Sequence, residues 1–295
     1  MTETSENPIQ AVAGPLLDVQ NMSVVYGTGD TAQHAVQGAT FTVAPGERVG
    51  IVGESGSGKS TLTTAIAGLL RTQTAAITAE RLTFDGADLD RTIGKGLPYR
   101  TRNMSMVFQD AMTSLDPVAT IGSQFGAVFR GLRKVSRKDA RLLATDWLRR
   151  VGLTDTERVL GNRPYELSGG MRQRVMVALA LCSEPKLLIA DEPTSALDAS
   201  VSRVMMDLLT EMTEKLGTAL LIVTHDIDLV RDYSDRLIVM YHGQIVDDCS
   251  SDRIEIEARS PYTRALVGCV PTLDDFAVEH LPTLDAAFDP VLQEA

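Results

Sequence analysis

Gly53-Glu-Ser-Gly-Ser-Gly-Lys59-Ser60 fits the pattern G-x-x-x-x-G-K-S/T, and its residue types suit one task, the holding of a polyphosphate. Glycines at 53, 56 and 58 let backbone N–H groups close around phosphate oxygens. A helix opening just after them would turn its partial positive end toward the same anion. Lys59 would reach the β- and γ-phosphates, and the Ser60 hydroxyl would ligate Mg²⁺. The candidate binding stretch is therefore Gly53, Glu54, Ser55, Gly56, Ser57, Gly58, Lys59, Ser60 and Thr61.

A pair of acids lies downstream. Leu187-Leu-Ile-Ala190 is an apolar run of strand length that delivers Asp191 and Glu192 at its C-terminal end, where open α/β sheets gather their ligands. Asp191 would bind Mg²⁺, directly or through water, and Glu192 would orient and deprotonate the water that attacks the γ-phosphate. Leu167-Ser168-Gly169-Gly170 puts a hydroxyl and two glycines immediately before an expected helix, the ingredients of a second anion site. His34 and His242 stand in no comparable surroundings and receive no role.

These groups need a scaffold, and the rest of the pattern supplies one. Arg48 to Val52 reads as a strand feeding the glycine-rich loop, and Thr61 to Leu69 as the helix leaving it. Upstream, Leu16 to Tyr26 and Ala39 to Val43 are β-like; Arg81 to Phe84 and Met104 to Phe108 follow as further strands. From Ile121 to Leu160 the pattern becomes helical, with apolar residues near 3.6 periodicity at Leu142, Leu143, Trp147, Leu148 and Val151 before Gly152, which suggests a helical insertion. Helices over Met171 to Cys182 and Val201 to Leu216 then alternate with strands over Leu187 to Ala190 and Ala219 to Val223. Such alternation implies the α/β class, with a parallel sheet covered on both faces. The stretch from Thr272 onward is acidic, broken by prolines and weakly periodic, and loops are expected there.

Composition removes other classes. With 295 residues, 44% of them hydrophobic and 23% charged, the chain resembles an ordinary globular protein. No apolar run approaches the roughly 20 residues that a membrane-spanning helix requires. Met1 to Gln10 is polar and lacks the features of a secretory signal, so a cytoplasmic protein is expected. Cys182, Cys249 and Cys269 form no C-x-x-C pair, which argues against a disulfide framework and a zinc site. A net charge of −11 disfavours nonspecific binding to nucleic acid, and the six basic residues between Arg130 and Arg141 read as a solvated helix start.

With Leu167-Ser-Gly-Gly170 beside the phosphate loop, the sequence resembles the ATP-binding subunit of an ABC transporter, over about Leu16 to Leu284. That resemblance implies a P-loop NTPase core of the RecA-like kind, with an antiparallel β subdomain and a helical subdomain. The expected division is a flexible segment over 1–15, an ATPase domain over 16–245 with the helical subdomain near 111–184, and a C-terminal extension over 246–295. It further implies that ATP lies between the loop of one subunit and Ser168, Gly169 and Gly170 of a second, with Asp198 of Ser195-Ala-Leu-Asp198 at their interface. Gln109 would sense Mg²⁺ or the attacking water, His225 would contact the γ-phosphate, and Tyr26 would stack on adenine. The implied partners are a second ATPase subunit, two transmembrane permeases docked near Asp110 to Ile121, and, indirectly, an extracytoplasmic solute-binding protein. Nucleic acid is not among them, and the place of work would be the cytoplasmic face of the membrane.

Within the family, Val107-Phe-Gln-Asp-Ala-Met-Thr-Ser-Leu-Asp-Pro117, Leu167-Ser-Gly-Gly-Met-Arg-Gln-Arg174 and Arg259-Ser-Pro-Tyr-Thr-Arg-Ala-Leu266 resemble the branch importing oligopeptides, dipeptides or nickel. Some peptide-importing members hold an iron–sulfur centre on a C-terminal cysteine cluster; with only Cys249 and Cys269 in this region, none is expected here. Two alternatives from other classes stand beside this reading, a soluble ABC ATPase acting on DNA or ribosomes and a module that binds ATP only as an assembly signal.

Overall fold

The computed structural model describes residues 14–70, 75–89, 103–108, 114–132, 135–195 and 197–269. Two sheets organise them. The first is antiparallel, built on the ten-residue strand β1 (Leu17–Tyr26), which pairs along its length with β2 (Gln33–Val43). On the other edge of β1, its second half takes β4 (Ala75–Thr78) and its first half takes β5 (Arg81–Phe84), which continues to β6 (Ala87–Asp88).

The second sheet carries the site. Its order is β11-β10-β3-β9-β8-β7, from β3 (Arg48–Val52), β7 (Met104–Val107), β8 (Leu187–Asp191), β9 (Ala219–Thr224), β10 (Arg236–Tyr241) and β11 (Gln244–Ser250). All neighbours are parallel except the edge pair β10 and β11. Every residue of β8 and β9 is buried, as expected for strands covered on both faces. Successive side chains then serve two cores. Val49, Ile51, Leu187, Ile189, Leu221, Val223 and Ile238 pack with the antiparallel sheet and α1 (Lys59–Ile66). The alternate residues Val52, Leu188, Ala190, Leu220, Ile222, Leu237 and Val239 pack with the remaining helices.

Those helices are α2 (Ile121–Leu132), α3 (Arg137–Arg150), α4 (Thr156–Gly161) and α5 (Gly169–Leu181), followed by α6 (Ala199–Leu216) and α7 (Ile227–Tyr233). The expected helical insertion is thus three helices, joined in one apolar core by α5. Trp147, 3% exposed, anchors it beneath the Arg150 guanidinium, 4.8 Å from the ring. Ser136, Ser168, Asp198 and Asp226 each cap a helix by accepting a backbone N–H three residues on.

Several boundaries differ from the sequence reading. Helix α1 starts at Lys59 and ends at Ile66, where the expectation was Thr61 to Leu69; Gly68, at a φ of +70°, follows in the left-handed region. Beyond Val223 no element was expected, yet α7, the β10–β11 hairpin, α8 (Ile254–Glu257) and α9 (Pro261–Gly268) follow. The apolar run Leu237 to Met240 ahead of His242-Gly243 is the sequence signal for that hairpin. The expected division at 245/246 falls inside β11, a strand of the main sheet. No described helix is long and apolar enough to cross a membrane. The expectations for residues 1–13, for Asp110 and for the stretch from Thr272 lie outside the described residues.

Candidate nucleotide site

The chain leaves β3 at Val52 and runs through the glycine-rich loop into α1, and two of the loop's glycines are demanded by what surrounds them. A Cβ on Gly53 (φ +152°) would stand 2.1 Å from the carbonyl oxygen of Met240, and one on Gly58 (φ +98°) 2.2 Å from that of Ala35. Both obstacles are backbone atoms in strands, so neither can move aside. The hairpin turn closes a third side, where Gly243 N–H donates to Ser57 O at 3.0 Å and Gln37 N–H donates to Gly243 O at 2.8 Å.

Inside this frame Lys59 curls back on its own loop. Its Nζ donates to the carbonyls of Gly53 and Glu54 at 2.7 and 2.8 Å and to Ser57 Oγ at 3.4 Å. Burial holds the ammonium pKa below the ordinary lysine range, against the opposing pull of Glu192, Asp191 and Glu54. Ser60 Oγ donates to Asp191 Oδ1 at 2.9 Å. Burial pushes the Asp191 carboxyl up; the Ser60 hydroxyl opposes that shift, and neighbouring Glu192 adds to it.

Glu192 is the strained member. Its φ of +50° lies in the left-handed region, which costs a residue with a Cβ about 1–2 kcal/mol. Glu192 N–H donates to Val223 O at 2.8 Å and holds it there. The side chain, 14% exposed, places Oε1 2.9 Å from His225 Nδ1, while Oε2 is buried without a hydrogen-bond partner among the described residues. A strained backbone and a buried oxygen with no partner among the described residues mark Glu192 as a candidate functional group.

Both residues border a cavity of about 650 Å³, together with Gly53, Glu54, Ser55, Gly56, Gly58, Lys59 and Ser60 and, from α9 and its end, Leu266 and Cys269. That volume suits a small organic ligand. No cluster of three or more His, Cys, Asp or Glu among the described residues could hold a metal alone. Ser60 Oγ and the Asp191 carboxylate are nevertheless hard oxygen donors already in contact, and Mg²⁺ bound there would share its coordination with phosphate oxygens.

The other expected site residues lie elsewhere. Ser57 is buried against Lys59, and Thr61 sits half-buried in the first turn of α1. Tyr26 ends β1, half-buried against the core of the antiparallel sheet and outside the cavity wall. Ser168 accepts the Met171 N–H at 3.4 Å as the cap of α5; Gly169 and Gly170 form its exposed first turn, inside the helix rather than before it. Asp198 is the cap of α6, its Oδ1 accepting from Ser200 Oγ at 2.6 Å and Val201 N–H at 2.9 Å; those bonds hold its pKa below the usual carboxylate range. Gln109 lies outside the described residues. Sequence reasoning missed Leu266, Cys269 and, behind the loop, Tyr262, although the Arg259 to Leu266 motif contains two of them.

Residues 36–195 match the family model described as ABC transporter. The chain is 40% identical to the oligopeptide transport ATP-binding protein AppD of Bacillus subtilis (strain 168), over 88% of this chain and 79% of the relative. It is 43% identical to the dipeptide transport ATP-binding protein DppD of Haemophilus influenzae, over 87% of this chain and 78% of the relative. Among solved structures it resembles the ATP-binding cassette MJ0796 in a dimeric post-hydrolysis state bound to ADP and Pi, with a TM-score of 0.65 and 26% identity, covering 80% of this chain and 98% of that one. A phosphate loop on a parallel sheet, with two acids and a histidine at the ends of neighbouring strands, defines a P-loop ATPase. The chain belongs to the ABC transporter family, among its ATP-binding, ATP-hydrolysing subunits.

Proposed function

We propose that this chain hydrolyses ATP at an interface shared with a second ATPase subunit, identical or related. Hydrolysis would energise import of peptides, or of a related solute such as nickel, through two permeases served by a solute-binding protein. The observation that carries this reading is the meeting of Lys59, Ser60, Asp191, Glu192 and His225 at the ends of three adjacent strands. Lys59, released from the Gly53 and Glu54 carbonyls, binds β- and γ-phosphate oxygens beside the loop N–H groups. Ser60 and Asp191, with Gln109 by resemblance, hold Mg²⁺, which when bound neutralises phosphate charge. Glu192 accepts the proton of the attacking water on Oε2, while His225 steadies Oε1 and contacts the γ-phosphate.

The partner's part follows from α5. Gly169 and Gly170 are exposed in a first helical turn, where N–H groups lack intrahelical acceptors, which supports their contact with the γ-phosphate of ATP held by the facing subunit. Asp198 lies on that interface, and Tyr26 stacks on adenine. Peptide cargo is supported by relatives named for oligopeptide and dipeptide transport, which do not favour the nucleic-acid alternative. Relatives named as ATP-binding proteins of oligopeptide and dipeptide transport support a peripheral subunit on the cytoplasmic face of the membrane.

The test is reconstitution with its permeases and a binding protein in liposomes, followed by phosphate release at saturating MgATP. Peptide-loaded binding protein is expected to accelerate hydrolysis several-fold. Acceleration by nickel-loaded protein alone would move the cargo to the metal, and hydrolysis stimulated only by nucleic acid would overturn the reading.

A further inference from the structure

Helix α9 touches the phosphate loop itself, and its beginning is fixed with unusual care. Asp247 of β11, only 8% exposed, accepts the N–H of Arg259 at 3.0 Å and that of Ser260 at 2.9 Å. Pro261 then starts the helix in the position where its missing N–H costs nothing. Tyr262 follows, 1% exposed, its ring stacked on Tyr241 at the end of β10 with centroids 4.2 Å apart. Its hydroxyl accepts the N–H of Glu54 at 3.1 Å, across 208 positions of sequence.

That N–H belongs to the same peptide unit whose carbonyl, Gly53 O, accepts Lys59 Nζ at 2.7 Å. In a trans peptide the two groups point in opposite directions, so a bond at each end sets the orientation of the plane. Gly53 has the backbone freedom to let that plane rotate, and Tyr262 opposes the rotation. Farther along the helix, Leu266 and Cys269 lie four and seven positions on, which is the same face, and both border the nucleotide cavity.

We propose that α9 is a working part of the nucleotide site, with Tyr262 a positioning residue that orients the first peptide of the phosphate loop and Leu266 and Cys269 a wall against bound nucleotide. This rests on nucleotide occupying the loop as described above. Any partner or modification that draws α9 away would loosen the loop, which makes the segment after β11 a lever on ATP affinity.

The experiment uses the full chain. Tyr262→Phe keeps the stacked ring and deletes the acceptor; one such bond corresponds to about a 2- to 10-fold weakening of ATP binding. The expected signature is a rise in Kd and KM for ATP of that size, larger than any fall in kcat, with an unchanged circular dichroism spectrum. Wild-type Kd and KM, or a loss confined to kcat, would overturn the positioning role. For the wall, maleimide labelling reports on Cys269, because Cys182 and Cys249 are buried, with thiols pushed up to about 12 and about 11. MgATP should slow the labelling of Cys269 at least several-fold, and labelling indifferent to MgATP would remove the wall. Lys59→Ala separates the two levels: if it binds ATP as tightly as wild type, the site reading fails, whereas loss of binding with an unaltered Tyr262→Phe counts against α9 alone.

Discussion

Replacing Glu192 by glutamine changes one oxygen to an amide nitrogen in a side chain that is 14% exposed and already held by its backbone, so the fold should tolerate it. The electrostatics move in a defined way. Glu192 is the strongest of the carboxylates supporting the Lys59 ammonium and also raises the pKa of Asp191. Its loss should let both values fall, while the Lys59 side chain and the loop N–H groups that would meet the phosphates stay in place. Nucleotide affinity is therefore retained, and removal of a negative charge beside a triphosphate favours binding. What disappears is the proposed proton acceptor at Oε2, the buried oxygen with no hydrogen-bond partner among the described residues. General-base catalysis contributes about 10²–10⁴-fold, so the barrier should rise by about 3–5 kcal/mol. Phosphate release at saturating MgATP, paired with a direct binding titration, measures both terms. A Glu192→Gln protein that binds ATP normally and turns over within two-fold of wild type would refute the assignment of the base.

Two further perturbations probe the cradle. Gly58→Ala introduces a Cβ at φ +98° only 2.2 Å from Ala35 O, so a loss of at least about 1–2 kcal/mol in urea unfolding and more than tenfold in ATP affinity is expected; wild-type affinity would contradict the loop geometry. Asp191→Asn tests the buried acid. Burial raises its folded pKa above the unfolded value of about 3.9, so its stabilising contribution is complete below that value and lost as pH rises through the folded pKa. Wild type should accordingly gain on Asp191→Asn as the pH falls through the raised folded pKa toward about 3.9 in denaturant titrations of nucleotide-free protein, and a constant or reversed difference would count against it.

Local chemistry was legible from the chain alone. Eight consecutive residues from Gly53 to Ser60 carry the phosphate loop, and an apolar strand ending in Asp191-Glu192 announces its acids, because backbone conformation and periodicity are set by near neighbours. The capping roles of Ser168 and Asp198, and the place of Gly169 and Gly170 inside α5 rather than before it, emerged only from the fold. Sheet order was not legible. Only the arrangement β10-β3-β9-β8 brings Ser60 to Asp191 across 131 positions and His225 to Glu192 across 33, and no spacing in the sequence encodes which parallel strands become neighbours. The same holds for α9. Arg259 to Leu266 could be seen as a motif, but Tyr262 meets Glu54 because β10, β11 and a buried aspartate carry the helix back to the loop. Sequence determined which side chains could do the chemistry; long-range strand pairing and packing decided which of them share a site, since those contacts depend on the whole core closing at once.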